Sequence, residues 1–118
     1  MNTEKIYIVD DYNINSYVLS EYLKDLYSVV CFDNAQDCID RLDTSLPHVI
    51  LMDCNMPVMS GYDATLIIKQ KHSEIRIIGI TANCFVEDLQ KCYDCGMESV
   101  LVKPIFKEAL ISTIEKKN

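Results

Sequence analysis

Two rhythms of apolar and polar residues alternate along the chain, one suited to strands and the other to helices. Residues 5–9 (K-I-Y-I-V) form a short apolar run that reads as a strand and closes on Asp10 and Asp11. Ile14, Val18, Tyr22 and Leu26 then recur at intervals of four, with Leu19 and Leu23 widening the stripe, which predicts an amphipathic helix. Residues 28–32 (S-V-V-C-F) are β-rich, and Asn34 is placed to cap a helix carrying Ala35, Cys38, Ile39 and Leu42 on one face. After Pro47, residues 48–52 (H-V-I-L-M) run without polar interruption, as a strand buried on both faces does, and Asp53 ends them. Residues 54–61 hold Pro57, Ser60 and Gly61 and read as a loop; Ser60 is the cap of a helix with Ala64, Ile67 and Ile68 facing inward. Residues 75–80 (I-R-I-I-G-I) form a fourth strand ending at Thr81. Val86, Leu89 and Tyr93 mark a fourth helix that Gly96 stops. Residues 99–102 are a fifth strand, closed by Lys103-Pro104, and Phe106, Ala109, Leu110, Thr113 and Ile114 predict a last helix.

Five strands alternating with five helices predict an α/β domain, a (βα)5 unit with a parallel sheet covered on both faces. A flavodoxin-like strand order of 2-1-3-4-5 suits it, although alternation alone leaves the order open. The 118 residues suffice for one core, so residues 1–118 are expected to form a single domain. Hydrophobic residues at 49% and charged residues at 25% match a soluble globular protein. A formal net charge of −7 disfavours nucleic acid and anionic membrane as partners, since both attract Lys and Arg clusters. No apolar run approaches the roughly 20 residues of a membrane span. The first residues lack the basic segment of a secretory signal, so the expectation is a cytoplasmic protein.

Six cysteines in a short chain raise the question of a disulfide framework. They are scattered, several of them within apolar runs or helical stripes, where a free thiol packs as a small hydrophobe, and reduced thiols are expected. Cys92 and Cys95 have C-x-x-C spacing but fall in the last turn of a helix, whereas a redox motif opens one. A structural zinc site wants four ligands, and no second close pair exists.

In an open parallel sheet, ligands bind beyond the carboxyl ends of the strands, where the strand order reverses. Asp10 and Asp11 stand at the end of the first strand, Asp53 at the third, Thr81 at the fourth and Lys103 at the fifth. Three carboxylates in one crevice repel each other unless a counter-charge is supplied, and Mg²⁺ suits one or two carboxylates, waters and a phosphate oxygen. With a lysine and a hydroxyl beside them, this set is equipped for phosphoryl transfer, with Asp53 as nucleophile. Any one of these acids alone is more commonly a helix cap; the combination at the required strand ends carries the argument.

The chain resembles the response-regulator receiver domains of two-component signalling. The match runs in order through V-D-D (Val9, Asp10, Asp11), M-D-C-N-M-P-V-M-S-G (residues 52–61), T-A (Thr81, Ala82) and K-P (Lys103, Pro104). The stretches M-D-C-N-M-P-V-M-S-G-Y-D-A-T and G-I-T-A-N-C-F look further like the receivers of hybrid sensor histidine kinases. The resemblance implies strand order 2-1-3-4-5 and Asp53 as phosphoacceptor. It implies Mg²⁺ held directly by Asp11, Asp53 and the main-chain carbonyl of Asn55, with Asp10 acting through water. Lys103 would contact the phosphoryl group, Thr81 would swing toward it, and the Ala82 amide would donate to it. Pro57 and Gly61 would shape the loop, and Pro104 would follow Lys103 through a bond the family often holds cis. The implied donor is a phosphohistidine on a sensor histidine kinase or a histidine phosphotransfer domain, and the chain would then belong to a longer hybrid kinase or act alone. Neither His48 nor His72 lies in a donor motif. A receiver assists its own phosphorylation but has no separate substrate, so no enzyme is expected.

One departure concerns Val100, three residues before Lys103, where the family usually places a Tyr or Phe that moves with the Thr. Two rival readings fare worse. A phosphohydrolase of the haloacid-dehalogenase type needs a second Asp two residues after the nucleophile, and that position is Asn55. A pseudo-receiver usually lacks an acid or the lysine, and this chain keeps both.

Overall fold

A computed structural model describes residues 4–116. The chain order is β1 (Lys5–Val9), α1 (Asn13–Leu23), β2 (Ser28–Phe32), α2 (Ala35–Arg41), β3 (Val49–Asp53), α3 (Gly61–Lys71), β4 (Arg76–Thr81), α4 (Val86–Asp94), β5 (Ser99–Val102) and α5 (Lys107–Glu115). All strands are parallel and lie in the order β2-β1-β3-β4-β5, so the order reverses between β1 and β3. This is the (βα)5 architecture expected from the alternation.

Successive residues of a strand point to opposite faces, and the core divides accordingly. Ile6, Ile8, Val49, Leu51, Ile78 and Ile80 pack on one face with Leu19 and Leu23 of α1 and Leu110 and Ile114 of α5. Tyr7, Val9, Ile50, Met52 and Ile77 pack on the other with Cys38 of α2, Ala64 and Ile68 of α3 and Cys92 of α4. Every residue of β3 is buried, which is why its sequence reads as an unbroken apolar run, whereas the edge strands β2 and β5 are only partly covered. β3 and β4 each lie one residue later than the apolar runs predict. Asp53 and Thr81 are therefore the last residues of their strands and are held in register, Asp53 opposite Ile80 and Thr81 opposite Val102.

The predicted caps hold. The Asn34 side chain accepts from the Asp37 N–H at 2.8 Å, and the Ser60 hydroxyl accepts from the Asp63 N–H at 3.1 Å. Gly96 ends α4 at φ +113°, a conformation that L side chains rarely adopt.

The predicted helix faces hold less well. In α1 the buried residues are Ser16, Leu19 and Leu23, while Ile14 and Val18 are exposed. Leu26 leaves the stripe because the helix stops at Leu23, where the backbone turns and Leu26 and Tyr27 both donate to the Leu23 carbonyl. In α3, Thr65 is buried and Ile67 is exposed. In α4, Val86 and Tyr93 face solvent and Cys92 is the only buried residue of the helix. In α5, Phe106 and Ala109 face solvent, and Phe106 precedes the helix as its N-cap. These helices carry more apolar residues than the sheet can cover, so the hydrophobic stripe is wider than the contact face.

Candidate functional site

The carboxyl ends of β1, β3, β4 and β5 bring the sequence-predicted residues together at the β1–β3 switch point. Asp10 follows β1 and is 1% exposed, and its backbone N–H donates to the Phe32 carbonyl at 3.1 Å. Its Oδ1 accepts from the Tyr12 N–H at 2.9 Å, while its Oδ2 is buried without a hydrogen-bond partner. Asp11 beside it is exposed. Asp53 is 3% exposed, and its Oδ1 accepts from the Asn55 N–H at 3.2 Å. Carboxylate oxygens of Asp10, Asp11 and Asp53 all lie within 4.8 Å of one another. The Lys103 ammonium stands 3.7 Å from Asp10 Oδ2 and 3.8 Å from Asp53 Oδ1.

One ammonium does not balance three clustered carboxylates. Burial, then the neighbouring Asp10 carboxylate, push the Asp53 carboxyl up to about 6, against the pull of the Asn55 N–H and of Lys103. The arrangement fits a small divalent cation: the cluster has surplus negative charge, hard oxygen donors and an orphaned buried oxygen on Asp10. Among the described residues, Asp10, Asp11 and Asp53 are the side chains grouped to hold it.

Thr81 is fully buried at the end of β4, and its Oγ1 accepts from the Asn83 N–H at 3.0 Å. Its carbonyl accepts from the Lys103 N–H at 2.8 Å, which ties the β4 and β5 ends together. Ala82 is exposed on the same rim. The Lys103-Pro104 bond is cis. Val100 is half-buried on β5 against the face that holds α3 and α4.

The loop after β3 is shaped by close backbone approach. Gly61 donates its N–H to the Cys54 carbonyl at 3.0 Å, and a Cβ at Gly61 would collide with the Asp53 carbonyl oxygen. Glycine is therefore required there on steric grounds. Pro57 accepts from the Met59 N–H at 2.8 Å across Val58, whose φ of +69° puts a β-branched residue in the left-handed region. Such strain is held by the surrounding structure. Nothing in the sequence flags Val58, because residues that adopt this conformation readily are Gly, Asn and Asp.

The sequence also placed Val18 and Tyr22 in the core, where the structure makes them walls of a cleft. A cavity of about 490 Å³ runs from Asp10 and Lys103 between α1 and α5, with Val18, Tyr22, Ile105 and Phe106 as apolar sides. His48 and His72 lie away from this rim and pair with Glu4 and Glu74.

Residues 6–115 match the response regulator receiver domain family. The chain is 36% identical over 110 residues to the sensor histidine kinase RcsC of Salmonella typhi, covering 92% of this chain and 12% of that protein. It is 36% identical over 130 residues to hybrid signal transduction histidine kinase B of Dictyostelium discoideum, covering 96% of this chain and 6% of that one. The chain thus spans a small fraction of the curated relatives it matches. Among solved structures, the receiver domain of sensor histidine kinase PA1611 from Pseudomonas aeruginosa PAO1, with a magnesium ion in its active-site cleft, superposes with a TM-score of 0.87. It is 29% identical, with 97% of this chain and 96% of that one covered. Chemotaxis response regulator CheY4 of Vibrio cholerae superposes with a TM-score of 0.90 at 26% identity, over 97% of this chain and 98% of that one.

Proposed function

This chain belongs to the response regulator receiver family, and from that premise we propose that it accepts a phosphoryl group on Asp53 from a phosphohistidine of a partner and then signals or relays it onward. The observation that carries the reading is the setting of Asp53. It is buried at the end of the central strand, clustered with two further carboxylates and 3.8 Å from the Lys103 ammonium.

The chemistry asks for an ionised Asp53 oxygen in line with the phosphorus, a bond to the donor imidazole nitrogen that breaks as the new one forms, and neutralised charge on the phosphoryl oxygens. A Mg²⁺ ion held by Asp11, Asp53 and the Asn55 carbonyl, with Asp10 acting through water, would supply the positive charge that the carboxylate cluster lacks. The chain's own residues do the rest. The Asn55 N–H orients one Asp53 oxygen, and Lys103 faces that oxygen and Asp10 together. Thr81 receives the Asn83 N–H, which leaves its own O–H to donate to a phosphoryl oxygen. Ala82 follows Thr81 on the rim, where its amide is placed to donate as well. Gly61 keeps the loop close against the Asp53 carbonyl, and Pro57 and Pro104 limit how the flanking loops bend.

The partner is a sensor histidine kinase or a histidine phosphotransfer domain, with hybrid kinases as the relatives that support this choice. The acidic net charge argues against nucleic acid as a direct contact, and the reading takes the domain to be cytoplasmic. No helix among the described residues is long and apolar enough to cross a membrane. The protein acts as an acceptor that is modified once per cycle, not as an enzyme with a separate substrate.

Intact mass after incubation with acetyl phosphate tests this reading. One added phosphoryl mass with Mg²⁺, none with EDTA, and no sustained hydrolysis of unrelated phosphate esters are expected. Steady turnover of such esters, or no mass gain under any condition, would overturn it.

A further inference from the structure

The C-x-x-C spacing of Cys92 and Cys95 points to the wrong pair. Cys95 donates its thiol to the Cys92 carbonyl at 3.1 Å, while Cys92 Sγ lies 3.5 Å from Sγ of Cys54, 38 positions earlier in the chain. Both Cys54 and Cys92 are fully buried and free. Cys54 directly follows Asp53 and is fixed through its backbone, its N–H donating to the Ile80 carbonyl and its carbonyl accepting from Gly61. Cys92 is the single buried residue of α4, so the contact between the two sulfurs joins the reactive strand end to a lightly fastened helix. A second fastening is the Lys91 ammonium, 4.3 Å from the centre of the Tyr62 ring.

We propose that Cys54 and Cys92 are a redox-sensitive pair whose oxidation to a disulfide pins α4 to the strand end that carries Asp53. The oxidant is of the hydroperoxide class. One thiolate attacks a peroxide oxygen, an S–O bond forms, the O–O bond breaks, and the departing hydroxide takes a proton. The partner thiol then displaces that oxygen, an S–S bond forms, and water leaves with the second proton. Two thiols lose two electrons and two protons, and hydrogen peroxide becomes two waters.

Both thiols are fully buried, so neither meets a peroxide while α4 is seated. The reaction therefore proceeds from excursions in which α4 lifts, and α4 is suited to them because so little of it is buried. Once formed, the bond draws the two sulfurs from 3.5 Å to about 2 Å and removes that motion. The consequence for Asp53 rests on the phosphoacceptor reading: a shift of about 1 Å one residue from a nucleophile costs up to ~100-fold in rate.

The test treats the intact chain with hydrogen peroxide, blocks remaining thiols and maps linked peptides under non-reducing conditions. A Cys54–Cys92 peptide is expected, with slower amide hydrogen exchange across α4 and phosphorylation from acetyl phosphate slowed at least threefold. Dithiothreitol should restore both. Cys92→Ser should give no link and a phosphorylation rate insensitive to peroxide; should that variant not fold, the wild-type peptide map decides alone. Oxidation of exposed Cys31 and Cys84 with no Cys54–Cys92 peptide would overturn the proposal. So would a link that leaves both α4 exchange and phosphorylation unchanged. A link with slowed exchange in a protein that takes no phosphoryl group even when reduced would keep the thiol pair and sink the phosphoacceptor reading instead.

Discussion

Replacing Asp53 by asparagine is expected to stabilise the cation-free protein at neutral pH. The side chain is buried beside the Asp10 carboxylate, and its carboxyl is raised from 3.8 to about 6. A group whose folded-state value lies above its unfolded value binds more protons when folded, so stability falls as pH rises between the two values. A rise of that size corresponds to about 3 kcal/mol of destabilisation once Asp53 is ionised in both states, as at pH 7. At pH 4 the folded state keeps its proton and the unfolded state is only half ionised, which leaves about 0.5 kcal/mol. The asparagine side chain retains the shape and carries no charge, so it removes this cost. Urea denaturation in EDTA at both pH values is the assay. Asp53→Asn should be more stable than the parent by about 2–3 kcal/mol at pH 7 and by well under 1 kcal/mol at pH 4. Saturating Mg²⁺ should narrow the gap at pH 7, since a cation that binds the folded parent favours it by mass action. A variant less stable than the parent at pH 7, or a gain equal at both pH values, would refute the electrostatic reasoning.

Three further outcomes follow from the same geometry. Asp11→Ala, which removes a proposed direct ligand, should weaken Mg²⁺ binding in titration calorimetry, and Asp10→Ala should weaken it less because a water-mediated contact is partly replaceable. Equal affinity in the parent and Asp11→Ala would contradict the site as described. Val58→Gly should relieve a left-handed β-branched residue and stabilise the fold by about 1 kcal/mol in urea denaturation, after the entropy cost of glycine is subtracted; a loss of stability would mean that the turn is not strained. Val100 is stiff at χ1 and has no ring to swing, so a beryllofluoride phosphoryl mimic should shift amide NMR signals mainly in the loops around Asp53, Thr81 and Lys103. Equally large changes across α4 and α5, with dimerisation, would show that the readout does not need an aromatic at this position.

Strands and strand ends were legible because fully buried strands leave continuous apolar runs, and because the residues closing those runs were three acids, a hydroxyl and an ammonium. Placing them in one crevice needed only the parallel alternation and the strand order. The helix faces were less legible. Hydropathy ranks Ile14, Val18, Val86 and Tyr93 as core residues, yet the buried positions of the helices include Ser16, Thr65 and Cys92, which are small enough to sit close to the sheet or to neighbouring helices. Ile14, Val18 and Phe106 instead expose apolar surface around the α1 end of the site, with Val18 and Phe106 in the walls of its cleft. Val58 escaped notice because its conformation is imposed by the loop and not by its own preference. The Cys54–Cys92 contact joins residues distant in sequence, and only the packing of α4 on the end of β3 brings them together.

Locating the modified residue tests the central claim most directly. The protein is incubated with acetyl phosphate and Mg²⁺, the acyl phosphate is trapped by borohydride reduction, and the modified peptide is sequenced by mass spectrometry. Modification at Asp53 alone, lost in EDTA and in Asp53→Asn, is the predicted result. Modification at Asp10 or Asp11 with Asp53 untouched would contradict the account.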